Sequence, residues 1–546
     1  MQRIRWGRVP VRLGGVSLAL LMLVRGGHAQ GFTTQDPVIH RIWVIGMDSS
    51  HVSDLAQVLD DSIGPRPSGS PAFHSAIDWL LAQYAQWGIQ AHTEQYGTWR
   101  SWRRGITHID LLSPRVRTLE GTMLAWSPGT RGRDLEAGVM ILPDVADSNA
   151  FVRWLPNVRG KFVLASMAQP TCRPDDDWQA FATPASLARM RALRDSLAAN
   201  WAGRIASTGY SLLRDRPLVI EEGTGSLGQR LEAAGAAGML VNWWSGGWGT
   251  DRVYVSHNTI APAIDLSCED YGLVYRLAEH GQNPLVRLRA DGEVGPDVPV
   301  FNTIAEIEGT ELPTEYVVLS AHLDSFDAGS GATDNGTGTV MVMEAMRILR
   351  QVYPHPRRTI IAGHWGAEEQ GLVGSMAYAA DHPEVVNGLQ ALFNQDNGTG
   401  RVDHAEASAL LDAGEHWARW LARVPEALSK RISLDIPGNP LRGGSDNSAF
   451  ACHGAPAFSL GGVDWEYRPY TWHTNRDTYD KIVLDDLRSN ATLLATLAYL
   501  ASEDPERVPR TRREVMPLDR TGAPRTWMQC SPPIRSSEAD DAAARP

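Results

Sequence analysis

Cysteine is scarce in this 546-residue sequence. The four cysteines, Cys172, Cys268, Cys452 and Cys530, form no Cys-x-x-Cys pair, so a zinc site built from cysteine is not expected. Their spacing fixes no pairing, and it leaves open whether they form disulfides after export or stay buried thiols. The sequence also lacks a His-Glu-x-x-His pair and a Gly-x-Ser-x-Gly elbow, which argues against the hydrolase classes that carry those motifs.

Long hydrophobic runs are equally few. One run, residues 13–24, follows four arginines and precedes the small residues Gly27-His28-Ala29. A run of about 12 residues is too short to span a bilayer, and no second run follows. We therefore predict a signal peptide at residues 1–29, cut after Ala29, and a secreted or periplasmic mature protein with no membrane partner. An uncleaved anchor is the alternative. No cysteine directly follows the cut, so a lipid anchor is not expected.

Basic residues are outnumbered by acidic ones, 51 to 63, and the net charge is −12. Residues 1–29 contain five arginines and no acidic residue, so cleavage changes the charge from −12 to −17. A chain of this charge repels nucleic acid and anionic membranes, and we expect neither as a partner. The length and the 43% of hydrophobic residues suit two or three domains with a large core.

Three regions follow the signal peptide. Residues 36–114 begin with a helical pattern and contain a helix-like apolar stripe at 72–87. Residues 115–297 hold short β-like runs and one clear helix at 226–234, which predicts a smaller inserted domain, β-rich or α/β. Residues 298–505 alternate strands and helices. The tail, residues 531–546, is rich in Ala, Asp, Ser and Pro and is predicted to be disordered.

The third of these regions predicts an α/β fold. Strand-helix alternation is typical of a mostly parallel, mixed sheet sandwiched by helices, and ligands in such sheets bind at the carboxyl ends of the strands. Buried strands are expected at residues 316–320, 359–363, 391–393 and 456–460, and helices at 340–349 and 485–502.

Five candidate metal ligands stand at the ends of strand-like runs or in the loops after them: His322, Asp334, Glu369, Asp396 and His473. Imidazole nitrogen and carboxylate oxygen suit zinc and similar divalent metals. Two metals about 3.5–4 Å apart need one shared carboxylate and two further ligands each, and five residues meet that count. Taken singly, His322 fits a structural hydrogen-bonded pair and Asp334 a helix N-cap, so the prediction depends on the ordered set.

Two further acidic residues, Glu368 and Asp324, lie close in sequence to candidate ligands. Glu368 and Glu369 are adjacent at a strand end, where they repel each other unless a cation or a shared proton compensates. We assign Glu369 to a metal and Glu368 to general-base catalysis, with an exposed acidic loop as the alternative. Asp324, two residues after His322, suits the carboxylate that orients a ligating imidazole.

These ordered motifs resemble the di-zinc aminopeptidase and glutamate carboxypeptidase family of exopeptidases (metallopeptidase clan MH). The His322 to Asp327 segment and Ile63-Gly64-Pro65-Arg66 look nearest to the plasma glutamate carboxypeptidase (carboxypeptidase Q) branch. Residues 158–164 and 231–241 resemble the protease-associated domain that is inserted in several exopeptidases. The resemblance covers most of the mature chain.

The resemblance implies a zinc exopeptidase fold and two Zn²⁺ per chain. In that family pattern Asp334 bridges the two ions, His322 and Asp396 complete one site, and Glu369 and His473 complete the other. A metal-bridging water, deprotonated by Glu368, then attacks a terminal bond of a peptide or dipeptide substrate. A homodimer is expected from the resemblance alone.

Further expectations concern substrate contacts. The loop with Ser445, Asp446 and Asn447 corresponds to a family loop near the substrate terminus. Trp472 stands where some relatives have a tyrosine that stabilises the oxyanion, and Tyr470 is a candidate substitute, with packing as the alternative. These five positions are the predicted substrate-binding residues.

Aminopeptidase or dipeptidase activity is our first expectation, and carboxypeptidase activity of the glutamate carboxypeptidase type is the second. Arg442, Arg468 and Arg476 could serve the second by binding a substrate carboxylate. A glutaminyl cyclase-like acyltransferase would use similar residues with one zinc. A non-catalytic binding homologue would normally lack ligands, whereas none is missing here.

Overall fold

The computed structural model describes residues 34–209, 227–439, 444–519 and 521–537. The predicted signal peptide lies outside these residues, as does Arg442. Within the described part of the chain, no helix combines the length and the apolar composition needed to cross a membrane.

Fourteen strands and fifteen α-helices are described. The strands are β1 (Gln90–Ser113), β2 (Arg117–Leu119), β3 (Gly121–Met123), β4 (Leu135–Ile141), β5 (Lys161–Leu164), β6 (Gly238–Val241), β7 (Ala263–Leu266), β8 (Leu285–Ile307), β9 (Leu312–His322), β10 (Arg358–Trp365), β11 (Leu389–Gln395), β12 (Val402–Glu406), β13 (Ser433–Asp435) and β14 (Ala457–Gly462). The helices are α1 (Pro37–Trp43), α2 (Val52–Ala56), α3 (Pro71–Gln86), α4 (Ser148–Trp154), α5 (Asp175–Phe181), α6 (Pro184–Ser207), α7 (Leu227–Ala233), α8 (Cys268–Glu279), α9 (Thr337–Val352), α10 (Val373–Asp381), α11 (Pro383–Gly388), α12 (Ala413–Leu421), α13 (Glu426–Ser429), α14 (Asn447–Ala451) and α15 (Leu484–Glu503).

One continuous sheet contains all the described strands. Its order is β13-β12-β14-β11-β9-β10-β8-β4-β5-β6-β7-β3, and β1 pairs with β8 and with β2. Strands β14, β11, β9 and β10 run parallel to one another in one half, and β4 to β7 run parallel to one another in the other half. The long antiparallel pair of β1 and β8 joins the halves. The predicted mostly parallel, mixed sheet is therefore confirmed.

Two helical layers cover the half of the sheet that carries β9, β10 and β11. Val317 and Leu319 of β9 pack toward the cluster formed with α1–α3, α9 and α15. Val318, between them in sequence, packs into a different cluster that includes α10, α11 and α14. Successive side chains of a strand point to opposite faces, so this alternation means that both faces are buried, as in parallel sheets generally.

Helix α3 illustrates why the predicted helices form. Ser70 accepts the backbone N–H of Phe73 and caps the helix, and Pro71 occupies the first turn, where its missing N–H costs nothing. The stripe of Phe73, Leu80 and Tyr84 faces the core and is fully buried. The helix spans residues 71–86, close to the predicted 72–87.

The inserted region is more helical than the sequence suggested. Besides α7, which matches the one predicted helix, it contains α4, α5, α6 and α8, so α/β describes it better than β-rich. The 24-residue helix α6 escaped prediction because only Met190, Trp201 and Ile205 of it are buried, too few for an apolar stripe. The predicted boundary between residues 297 and 298 falls inside β8, which is continuous across both halves.

All four cysteines form disulfides. Cys172 pairs with Cys268, and Cys452 pairs with Cys530. The pairing that the sequence left open is thereby assigned, and the alternative of buried free thiols is not the one found.

The start of the tail contradicts the prediction of disorder over 531–546. The carbonyl oxygen of Arg535 accepts the backbone N–H of Thr98 at 2.9 Å, and its guanidinium pairs with Asp381 at 2.8 Å. Ser537 donates to Asp297 at 3.1 Å. The composition of the tail missed these contacts because they depend on β1 and β8, far away in sequence. Residues 538–546 lie outside the described part.

Candidate metal centre

Parallel strands bring three of the predicted ligands to one edge of the sheet. His322 is the last residue of β9, Asp396 directly follows β11, and Glu369 lies in the loop after β10. Because β10, β9 and β11 are parallel neighbours, their carboxyl ends coincide. Asp334, in the loop before α9, and His473, after the 467–471 turn, reach the same edge.

The five ligand candidates form two groups that share Asp334. The Nε2 atom of His322 lies 3.5 Å from Asp334 Oδ1 and 3.3 Å from Asp396 Oδ1. The Nε2 atom of His473 lies 3.2 Å from Asp334 Oδ2 and 3.0 Å from Glu369 Oε2. Each oxygen of Asp334 therefore faces a different histidine, which is the arrangement that a bridging carboxylate needs.

The donor set fits two divalent cations. Within each group the candidate ligand atoms all lie within 4.8 Å of one another. Glu369 Oε1 is buried and accepts no hydrogen bond from any described residue. A buried carboxylate oxygen without a partner is costly, and a metal ion held by nitrogen and oxygen ligands would compensate for it.

The electrostatics of the cluster point to the same requirement. Burial raises the pKa of Glu368 well above its ordinary value, and Asp396 and Asp446 raise it further. Burial opposes protonation of His473, but Glu369 and Asp334 raise its pKa to about 9. The closely spaced carboxylates repel one another when ionised. Positive charge from an imidazolium or a bound cation reduces that repulsion.

Asp324 does not act on His322 in the way the sequence predicted. The Nδ1 atom of His322 bonds the backbone oxygen of Asp324 at 2.9 Å, and the nearest carboxylate oxygen of Asp324 lies 3.7 Å away. That carboxylate instead accepts the backbone N–H groups of Glu368 at 3.1 Å and Glu369 at 3.3 Å. Asp324 therefore holds His322 through its carbonyl and the two glutamates through its side chain.

Arg66 stabilises the loops next to His322 and Asp334 through hydrogen bonds to their backbone, a role that the sequence did not reveal. Its side chain is fully buried, and its nearest carboxylate, that of Asp60, lies 3.7 Å away. The guanidinium donates to the carbonyl oxygens of Gly64, Leu323, Ser330 and Gly331 at 2.7–3.0 Å. Four backbone carbonyls on one arginine tie the 63–66 turn to the 323–331 loop.

Asp477 holds the backbone at Thr333 and Asp334, next to the carboxylate that the two groups share. It accepts the backbone N–H of Asp334 at 3.0 Å, and the N–H and hydroxyl of Thr333 at 2.8 and 2.7 Å. Asp477 belongs to the motif that contains His473, so this contact connects the loops of the two ligands. The sequence pattern contained Asp477 but assigned it no role.

Aromatic rings surround His473. Its ring centroid lies 4.1 Å from that of Trp472, 4.7 Å from Phe326 and 5.1 Å from Tyr254. Tyr254 belongs to the inserted region, which therefore lines the candidate centre directly. The sequence did not indicate Tyr254 or Phe326.

The predicted substrate residues fall into two sets. Ser445, Asp446 and Asn447 lie before or at the start of α14, behind β11. Ser445 accepts a hydrogen bond from Asn394 of β11 at 2.9 Å, and Asp446 is fully buried and is one of the carboxyl groups that raise the pKa of Glu368. Ser445 and Asp446 thus adjoin the candidate centre.

Tyr470 and Trp472 do not both face the centre. Tyr470 packs against Gly247 of the inserted region and lines a cavity of about 420 Å³ with Trp248 and Trp465, to which none of the five ligand candidates contributes. These contacts agree with packing, the alternative to an oxyanion role for Tyr470. Trp472 does adjoin His473, and the guanidiniums of Arg252 and Arg468 lie over its ring at 4.8 and 4.5 Å.

The arginines predicted to bind a substrate carboxylate differ in how far other contacts already engage them. Arg476 donates to the carbonyl of Gly249 at 2.7 Å and pairs with Glu120 at 2.6 Å, so it connects the two halves of the molecule. Arg468 is exposed and stacks on Trp472.

The chain matches a family profile over residues 302–498 and single known proteins along most of its length. The sequence profile of peptidase family M28 matches residues 302–498. Carboxypeptidase Q from Rattus norvegicus is 26% identical over 455 residues, which is 83% of this chain and 86% of that protein.

Solved structures share the fold. A peptidase M28 precursor from Shewanella amazonensis SB2B superposes with a TM-score of 0.61 at 24% identity, over 87% of this chain and 98% of that one. BSAP, a zinc aminopeptidase from Bacillus subtilis, gives a TM-score of 0.53 at 18% identity, over 85% and 97%. The predicted metallopeptidase class is confirmed: residues 302–498 form a peptidase family M28 domain, and carboxypeptidase Q is similar to this chain along most of its length.

Proposed function

We propose that this protein is a di-zinc exopeptidase that hydrolyses the terminal bond of peptides or dipeptides. The single observation that supports this most is the position of Asp334, whose two carboxylate oxygens face His322 and His473 separately, at 3.5 and 3.2 Å. Asp334 would be shared by both ions, with His322 and Asp396 on one and Glu369 and His473 on the other. Zinc is the metal named for the Bacillus subtilis aminopeptidase, and it suits this donor set.

When bound, the zinc pair would supply Lewis acidity toward the scissile carbonyl and lower the pKa of a water. Glu368 then accepts a proton from the attacking water and delivers it to the amine that leaves. Asp324 keeps Glu368 in place by accepting its backbone N–H. Burial, which raises the pKa of Glu368, favours a group that can hold a proton between these two steps.

The charges around the centre support recognition of an amino terminus. Besides the ligands, Asp324, Glu368 and Asp446 add three buried or half-buried carboxyl groups, and such groups attract an ammonium. Arg66 and Arg476 are engaged with backbone carbonyls. Aminopeptidase or dipeptidase activity is therefore the first choice, and carboxypeptidase activity, with Arg468 as the exposed guanidinium near Trp472, is the second.

A secreted or periplasmic location, reached through the predicted signal peptide, forms part of the proposal. Both disulfides fit an oxidising, extracytoplasmic environment.

Two measurements test the function. Zinc counted on the purified protein after dialysis should approach two equivalents per chain, whereas one equivalent would favour the glutaminyl cyclase alternative. Dipeptides of one series with the amino or the carboxyl terminus blocked should then be compared. Loss of hydrolysis on amino blocking alone indicates an aminopeptidase, on carboxyl blocking alone a carboxypeptidase, and on either a dipeptidase. Failure to hydrolyse any member of the series would overturn the proposed function.

A further inference from the structure

The two candidate histidine ligands are held in different ways. The Nδ1 atom of His322 bonds the carbonyl oxygen of Asp324 at 2.9 Å, which is how a ligating imidazole is usually oriented. The Nδ1 atom of His473 is buried and has no hydrogen-bond partner among the described residues. Something other than a bond to its second nitrogen must therefore orient His473.

The backbone of His473 also needs support. Its φ is +59°, in the left-handed region, which side-chain-bearing residues adopt rarely and only when their surroundings impose it. The residue on each side of it, Trp472 and Thr474, takes part in contacts to the inserted region. The conformation of this ligand is thus connected to a part of the chain some 220 residues earlier.

Residues 250–254, here termed the clamp segment, make these contacts. Val253 donates its backbone N–H to the carbonyl oxygen of His473 at 2.8 Å, and Asn475 donates its N–H to the carbonyl of Asp251 at 3.0 Å. Arg252 and Thr474 form an antiparallel β-bridge. The clamp segment therefore pairs with residues 473–475 as a short strand would.

Side chains strengthen this pairing. Arg252 donates to the carbonyl oxygen of Arg468 at 2.7 Å, and its guanidinium lies 4.8 Å from the centre of the Trp472 ring. Asn475 accepts the backbone N–H of Asp251 at 3.1 Å. Arg252 is almost fully buried, so its contacts with Arg468 and Trp472 are shielded from solvent.

The clamp segment is itself fixed to the inserted sheet. Asp265, on β7 and fully buried, accepts the backbone N–H of Arg252 at 3.0 Å and that of Trp243 at 2.7 Å. Thr122, on β3, donates its hydroxyl to Asp251 at 2.8 Å. A rigid path of hydrogen bonds thus leads from two strands of the inserted region to the backbone of His473.

We infer that the clamp segment positions His473, so that the metal site of Glu369 and His473 depends on the inserted region while the site of His322 and Asp396 does not. This inference rests on the proposed di-zinc function. Arg252 and Val253 are positioning residues here, since neither contributes a ligand atom. Replacing a residue that orients a metal ligand typically lowers metal affinity by about 10–100-fold.

Two variants and a matched control test the inference. Arg252→Met removes the stacking on Trp472 and the bond to Arg468, and Val253→Pro removes the N–H given to His473. The control is Arg204→Met, because Arg204 stacks on Trp201 at 5.0 Å and donates to the carbonyl of Leu142 at 2.9 Å, entirely within the inserted region. Zinc affinity is measured by competition with a chromogenic chelator, and folding by circular dichroism.

Arg252→Met and Val253→Pro should each weaken one of two zinc equivalents by at least about tenfold and leave the other unchanged, and Arg204→Met should change neither. Adding Arg252→Met to His473→Ala should not weaken the remaining zinc, whereas adding it to His322→Ala should. Wild-type affinity at both sites in both folded clamp variants would overturn the inference, as would equal weakening by Arg204→Met. A wild-type protein that binds fewer than two equivalents would instead overturn the di-zinc proposal, and the inference with it.

Discussion

The carboxylate of Asp324 accepts the backbone N–H of Glu368 at 3.1 Å. This contact connects the end of β9, which carries His322, to the loop after β10, which carries both glutamates. The same residue bonds His322 through its carbonyl oxygen. Asp324 thus connects a candidate metal ligand to the proposed base.

Replacing Asp324 with Asn should therefore reduce catalysis more than metal binding. The N–H groups of Glu368 and Glu369 bond different oxygens of Asp324, and in asparagine one of those positions is an NH2 group, which opposes an N–H donor. We expect kcat to fall by about 10–100-fold, with two zinc equivalents retained. Steady-state kinetics and metal analysis check this, and an Asp324→Asn enzyme with wild-type kcat would remove the positioning role.

Glu368 and Glu369 should respond differently to the same change. Glu368→Gln keeps the shape of the side chain but cannot accept a proton, so kcat should drop by about 10²–10⁴-fold at unchanged zinc content. Glu369→Gln removes an anionic ligand and should lower the zinc content toward one equivalent. If Glu368→Gln were fully active, or if both variants lost metal equally, the assignment of the base would be wrong.

Arg66 should be a major contributor to stability. Arg66→Met leaves four carbonyl oxygens without their donor and removes the cation nearest to the buried Asp60, and we expect a loss of at least about 3 kcal/mol in the free energy of unfolding. Arg103→Met, at an exposed ion pair with Glu293, is the control and should change it by less than about 0.5 kcal/mol. Urea unfolding of both variants checks the difference.

Acid should destabilise the protein partly through His364. Burial lowers the pKa of His364 to about 3, and the neutral ring bonds the hydroxyl of Tyr84 at 2.6 Å. The unfolded chain, with a histidine pKa of about 6.5, binds this proton more readily. The contribution to stability is therefore complete above pH 6.5 and is lost as the pH falls toward 3.

The variant His364→Gln isolates that contribution. Between pH 8 and pH 5 the wild-type protein should lose about 2 kcal/mol more unfolding free energy than the variant does. Urea unfolding of both proteins at several pH values measures the difference. Parallel pH profiles for the two proteins would show that His364 is not the group responsible.

The candidate metal ligands could be predicted from the sequence because their positions follow from local patterns. His322 follows the apolar run Val317-Val318-Leu319 of β9, and Asp396 follows Ala391-Leu392-Phe393 of β11. Parallel strands present such carboxyl ends at one edge of the sheet. Helices α9 and α15 were foreseen for a similar reason, since their apolar periodicity extends over many residues. Prediction was weaker for α6, whose mostly exposed surface leaves little apolar signal.

Contacts to backbone carbonyls and between distant segments could not be predicted in this way. Arg66 looks like any turn residue until four carbonyl groups converge on it, and Asp324 has its carboxylate turned from His322 toward Glu368 because of how the β9 and β10 loops meet. Tyr470 and Trp472 occur in the same short motif, yet only Trp472 adjoins His473. No periodicity encodes which way such side chains turn.

The sequence by itself determined the class of fold, the family and the five side chains able to hold two cations, because strand ends and ligand chemistry are properties of short segments. Only the tertiary structure decided which groups hold those ligands in place: the carbonyl of Asp324 for His322, and the inserted region, through Val253 and Arg252, for His473. The physical reason is that a hydrogen bond depends on atoms meeting within about 3 Å, and chain folding alone brings segments hundreds of residues apart to that distance.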